Sequence, residues 1–100
     1  MSSHVLVTIT AEDVHRHREV LAQWVTANGL DPRSVAERPG LTIEQAGERM
    51  MLCYQELQRD DQGRSLVDPA DRREAWMIKR AVPLRVPLPA LDLASDYSES

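Results

Sequence analysis

Phenylalanine is absent from this sequence, and cysteine occurs once, at Cys53. The first absence leaves core volume to leucine, valine, isoleucine and methionine, with Trp24 and Trp76 as large single anchors. These two are expected on opposite sides of one helix–sheet interface rather than stacked on a ligand. The second absence excludes an intramolecular disulfide and fits a reducing compartment. Glycine is scarce too, and its four scattered positions provide no glycine-rich loop to cradle a phosphate. No run approaches the ~20 apolar residues of a membrane span. Met1-Ser2-Ser3-His4 has neither the basic start nor the apolar stretch of a secretory signal. A soluble cytoplasmic protein is expected, of a cell or of something replicating in one, with the virion as the other setting.

One hundred residues allow one core, because a chain of this size buries roughly 60–70% of the surface its unfolded form exposes. The net charge of −4 argues mildly against non-specific binding to nucleic acid, but its distribution is uneven. Residues 41–74 carry eight acidic and five basic side chains. Residues 75–90 carry Lys79, Arg80 and Arg85 with no acid, and residues 91–100 carry Asp92, Asp96 and Glu99 with no base. Two explanations stand side by side: a solvated strand with a solubilising terminus, or a partner-binding strand shielded by its own tail. The division expected is one α+β domain over 1–90 and an acidic flexible tail over 91–100.

Val5 to Ile9 reads as a first strand, with Val5, Val7 and Ile9 on one face. Thr10 is a good helix N-cap, with Asp13 where a capping-box carboxylate sits and Glu12 beside the positive end of the dipole. The apolar stripe of Val14, His17, Leu21, Trp24, Val25 and Asn28 predicts one helix running to about Asn28. Asn28-Gly29 then supplies the positive-φ residue of a Schellman stop, and Leu30 is placed to fold back on Val25. Asp31-Pro32 repeats the pattern of cap then proline and predicts a single helical turn through Ser34 to Glu37.

From Leu41 onward strands are expected: Leu41 to Ile43, a turn at Ala46-Gly47-Glu48, then Arg49 to Gln58 with apolar residues on both faces. A second helix over 42–58 is the competing reading, since Ile43, Ala46, Met50, Cys53, Tyr54 and Leu57 also fit a 3.6-residue period. Asp60 to Gly63 and Asp68 to Asp71 read as turns, and Ala75 to Val82 as a further strand. The fold expected is thus α+β, one long helix packed on a small, mainly antiparallel sheet.

Motifs for chemistry mostly fail on spacing. His15 and His17, two apart on a helix, point away from each other and do not converge on one ion. Cys53 has no CxxC partner and reads as a small core hydrophobe. Aligning Gly63 with the sixth position of a calcium loop puts Pro69 where the twelfth-position glutamate belongs. No catalytic residue, metal ligand or cofactor is assigned on these grounds. The helix at 11–28 with the turn at 32–37 superficially resembles a helix-turn-helix, but Arg33 and Arg38 bring few base-reading side chains with them. Lys79, Arg80 and Arg85 give only a weak electrostatic footprint for nucleic acid.

One segment stands out. Pro83, Pro87 and Pro89 alternate with Leu84, Val86 and Leu88, so the stretch is an edge strand or polyproline-like. Val82, Leu84, Arg85, Val86 and Leu88 are the candidate partner-binding residues, because such a stiffened segment lies along a groove or edge at low ordering cost. The other reading makes it a strap across its own domain.

Ile9-Thr10-Ala11-Glu12-Asp13-Val14, His17-Arg18, Trp24, Asn28-Gly29-Leu30-Asp31-Pro32 and Val82-Pro83-Leu84 together resemble small uncharacterised actinobacterial and actinophage proteins. The resemblance spans about residues 7–88 and rests mainly on cap and turn signals. It implies a phage or mobile-element setting rather than an activity, and carries over no functional residue. The expected function is a non-enzymatic protein–protein interaction module that binds a protein partner or itself, with a small nucleic-acid-associated regulator as the alternative.

Overall fold

A computed structural model describes residues 4–70 and 75–93. The turn expected to close at Asp71 and the acidic residues Asp96 and Glu99 lie outside these. Four strands form one antiparallel meander in the order β1 (His4–Ile9), β2 (Leu41–Ala46), β3 (Arg49–Leu57) and β4 (Met77–Pro83). Two helices, α1 (Ala11–Arg16) and α2 (Arg18–Ala27), cover one face of it. A short 3-10 turn at Pro32–Ser34 follows, with the Asp31 side chain accepting from the Arg33 amide at 3.0 Å.

The register explains why residues 42–58 are strands rather than a helix. Val7, Ile43, Leu52 and Val82 sit side by side across all four strands, and Ile9 pairs with Leu41. Those side chains, with Tyr54, form the inner face and meet Leu21, Trp24 and Val25 of α2. A helix would have spread the same apolar residues around its circumference. Gly47, at φ 67°, makes the two-residue turn that sends β3 back along β2.

The helix starts as its residues predict. Thr10 Oγ1 accepts from the Asp13 amide at 3.1 Å, and Asp13 Oδ2 accepts from the Thr10 amide at 3.1 Å, closing the capping box. Asp13 is fully buried, and the Thr10 hydroxyl donates to it as well, at 3.0 Å. The expected single helix to Asn28 is corrected at His17, whose φ of −116° and ψ of 36° leave the helical range and divide it into α1 and α2. The break is one residue wide: His17 N–H still donates to the Asp13 carbonyl, and the His17 carbonyl accepts from Leu21. At the other end the Schellman pattern is complete. Leu30 N–H donates to Val25 at 3.0 Å and Gly29 N–H to Thr26 at 2.9 Å, with Gly29 at φ 88°.

After β4 the chain crosses back along α2. Leu84 N–H donates to the Met50 carbonyl at 2.8 Å, prolonging the β3–β4 pairing by one step. The Asn28 carboxamide then clamps the next residues: its Oδ1 accepts from the amides of Arg85 (2.7 Å) and Val86 (3.0 Å). Its Nδ2 donates to the carbonyls of Trp24 (3.0 Å) and Val86 (3.3 Å). Trp24 Nε1 donates to the same Val86 carbonyl at 2.8 Å. Further on, His17 Nε2 donates to the Asp92 carbonyl at 3.0 Å. Leu91 packs against the core and Leu93 is 3% exposed within it, so packing continues past the boundary expected at residue 90.

Trp76 does not join that interface. Its backbone stitches the excursion between β3 and β4, with its N–H donating to Leu66 and its carbonyl accepting from Gln58. Asp60 turns that excursion, accepting from the amides of Arg64 and Gln62; these bonds hold its carboxyl below the usual range.

Two substitutions test this arrangement. Asn28→Ala leaves two strap amides without their acceptor, and is expected to cost about 2–4 kcal/mol. The check is a lower urea midpoint with an unchanged m-value. Gly40 has φ 109°, and a Cβ there would collide with the Ile9 carbonyl oxygen. Gly40→Ala is therefore expected to destabilise by about 3 kcal/mol or more, read from the same denaturation curves.

Candidate functional site

The segment singled out by its prolines has two sides. Val82, Leu84, Val86 and Leu88 are half-buried and pack against the core, so their alternation fits the domain's own surface. Pro83, Arg85, Pro87 and Pro89 form the outward row and are exposed. Of the five candidate partner-binding residues, only Arg85 faces solvent. An aspartate at Leu84 or Val86 would act on folding before it acted on any partner.

The basic residues near that segment do not converge. Lys79 pairs across from Gln55 on the uncovered face of the sheet, while its neighbour Arg80 pairs across from Tyr54 on the other. Arg80 Nε also donates to Glu56 Oε1 at 2.9 Å. Arg85 belongs to the strap beside Asn28. Three cations on three surfaces do not make the continuous footprint that tracks a phosphate backbone.

The titratable side chains that drew notice in the sequence are equally dispersed. His15 is exposed on α1, His17 is spent on Asp92, and His4 is exposed at the start of β1. Cys53 lies on the uncovered face, in the row Thr8–Thr42–Cys53–Ala81 that the register aligns. It is 7% exposed, directly across from Thr42 and close to Glu44. Burial, then the Glu44 carboxylate, pushes its thiol above the usual range, which opposes formation of a nucleophilic thiolate.

Two features of the surface remain. The first is apolar. Val5 (49% exposed), Leu6 (41%) and Met50 (43%) lie at one end of the sheet, Met50 in the row His4–Gln45–Met50 and Val5 in the next row, Val5–Glu44–Met51, on the opposite face. The Leu84–Met50 hydrogen bond brings the start of the strap to the same end. β1 is a terminal strand of the sheet and carries no Lys, Arg, Asp or Glu, the residues that usually discourage sheet ends from associating. Its pairing with β2 slips between Val5 and Val7, leaving Leu6 as a bulge.

The second feature is a cleft of about 560 Å³ between the helices and the chain that follows the 3-10 turn. Leu21, Val25, Ala36 and Leu41 line its depth and are buried. Arg18, Arg33 and Arg59 stand around it with Glu37. Sequence reasoning missed this cluster, because its arginines come from α2, the 3-10 turn and the segment just after β3, and no periodicity links them. The usable signal was the Schellman stop followed by Asp31-Pro32, which turns Pro32 to Val35 back beside the face of α2 that carries Arg18, Ala22 and Val25.

Comparison with protein-family models, with curated proteins and with solved structures returns no match. The chain is therefore read from its own geometry. No helix among the described residues is long and apolar enough to cross a membrane.

The state of Cys53 gives a direct check. The folded protein is expected to react with a chromogenic disulfide reagent at pH 7 far more slowly than the urea-unfolded chain, and faster as pH rises above 9. Equal rates for folded and unfolded protein at pH 7 would show the thiol to be as open to reagent as in the unfolded chain.

Proposed function

We propose that the protein is a non-enzymatic module that works by protein–protein contact, and that the contact is self-association at the Val5–Leu6–Met50 end of the sheet. The observation that carries this reading is that the exposed large apolar side chains Val5, Leu6 and Met50 gather at one end of the sheet, Val5 and Met50 in alternating rows, so that this end is apolar on both faces. Val20 and Val67, the other exposed large hydrophobics among the described residues, stand apart on α2 and in the β3–β4 excursion. The Leu84 amide bonds to the Met50 carbonyl, so the exposed Pro83 and Arg85 on either side of Leu84 border this end of the sheet.

Support for a non-enzymatic role comes from the commitments of the reactive groups. The Cys53 thiol is buried and held protonated, and the His17 ring is used to fasten the strap. The same reading sets the module in the cytoplasm of a host cell, which a single, buried cysteine that needs no oxidising compartment supports, or on a virion, which only the resemblance of its cap and turn signals to phage proteins implies.

Sedimentation equilibrium tests the proposal. The wild-type protein is expected to show a monomer–dimer equilibrium that tightens as salt is raised, because screening relieves the repulsion between copies of net charge −4. Combining Val5→Ser, Leu6→Ser and Met50→Ser is expected to give a folded monomer, since exposed substitutions change stability by only about 0.5 kcal/mol each. A wild type that stays monomeric up to about 1 mM, where an association worth about 4 kcal/mol would show, overturns self-association.

A further inference from the structure

We infer that the cleft between α2 and the Pro32–Glu37 stretch is a binding site for a small amphipathic monocarboxylate, an alkyl or aryl-alkyl acid with one anionic end. The cleft is separate from the apolar end of the sheet, and its lining differs in kind. Its volume of about 560 Å³ lies within the range of small-molecule sites, which combine an apolar interior with a few placed polar groups.

The interior accounts for the apolar body. Leu21, Val25, Ala36 and Leu41 are each at most 4% exposed, so they belong to the core and also form the depth of the cleft. Val14, Ala22, Val35 and Leu57 continue the apolar lining outward.

The charged group follows from the arginines. Arg18 is paired with Glu37 at 3.3 Å, and Arg33 approaches its near neighbour Asp31 at 3.6 Å. Both are exposed ion pairs of the kind that contribute little and exchange readily for another carboxylate. Arg59 differs. Its Nη2 donates to the Arg33 carbonyl at 2.5 Å, a contact that fixes the guanidinium at the cleft without neutralising it. A guanidinium held by one nitrogen keeps further N–H donors, and a carboxylate accepts two of them in parallel. In a protein of net charge −4, three arginines against Glu37 and Asp31 leave one positive charge in excess around an apolar cleft and reverse the local sign. A cationic ligand would meet that field unfavourably, and a neutral one would leave it unused. A dianion with a small body would gain nothing from the apolar depth.

Decanoate is a suitable probe, with decanamide as its neutral counterpart, each titrated into the ¹⁵N-labelled protein and followed by amide chemical shifts. Decanoate is expected to bind in the sub-millimolar range with shifts concentrated at Arg18, Ala22, Val35, Ala36 and Arg59, and decanamide roughly tenfold more weakly. Arg59→Gln removes the charge and is expected to reduce decanoate affinity about tenfold while leaving decanamide nearly unchanged. Because Arg59 also holds the Arg33 carbonyl, a second variant separates binding from local order: Ala22→Phe, on the half-exposed side of α2, fills the cleft without touching Arg59 and should abolish the shifts from both probes. Three results overturn the site: no decanoate shifts up to about 1 mM, shifts centred on Val5, Leu6 and Met50 instead of the cleft, or equal loss of decanoate and decanamide in Arg59→Gln.

Discussion

The carboxamide of Asn28 is the junction on which the architecture depends. It sits at the end of α2, 4% exposed, and both of its polar atoms are used twice. Through Oδ1 it accepts from two successive amides of the strap; through Nδ2 it serves the last turn of its own helix and the Val86 carbonyl. A buried amide side chain satisfied in this way is stabilising because the alternative, several backbone groups without water or partner, is so unfavourable. Asparagine is also the residue that precedes the Gly29 of the Schellman stop. One position therefore ends the helix and anchors the segment that covers it.

With that junction in place, the division of labour in the core is simple. The sheet offers one apolar face, built on the row Val7–Ile43–Leu52–Val82. The helices cover that face, and the strap covers the flank of α2 that carries Trp24 and Asn28. The opposite flank, carrying Arg18, Ala22 and Val25, receives only the thin cover of the 3-10 turn and the residues after it, and there the cleft opens. The strap and the cleft are thus consequences of one geometric fact: a single layer of two short helices is too narrow to cover four strands. A chain without phenylalanine has few large side chains with which to close the remainder.

The legible parts of the sequence were those governed by local rules. Thr10 with Asp13, Gly29 with Leu30, and Asp31 with Pro32 each act within a few residues, and each forms the cap or stop its spacing predicts. Strand pairing over 41–57 was legible once Gly47 was given its weight as a turn. The break at His17 was not, because no glycine or proline marks it; the ring's partner, Asp92, lies 75 residues away. For the same reason Val82, Leu84, Val86 and Leu88 read equally well as a ligand for another surface or as a cover for their own. Alternation tells which residues share a face but not what that face meets. Trp76 was assigned to the core on size alone, whereas its backbone bonds to Leu66 and Gln58 place it in the excursion. Arg18, Arg33 and Arg59 were invisible as a set because charge clustering across three elements leaves no pattern in one dimension.

The strap also sets an order of assembly. In the meander only β2 and β3 are joined by a short loop and so pair early, whereas β1–β2 and β3–β4 must close across residues 10–40 and 58–76. The helices emerge from the ribosome before β2 does, yet their Trp24–Asn28 flank finds its cover only after residues 84–93 have been made. Until then the indole N–H of Trp24 and the carboxamide of Asn28 have no strap to bond. A chain cut short near residue 84 would therefore hold its sheet beneath a helix left unfastened along one flank.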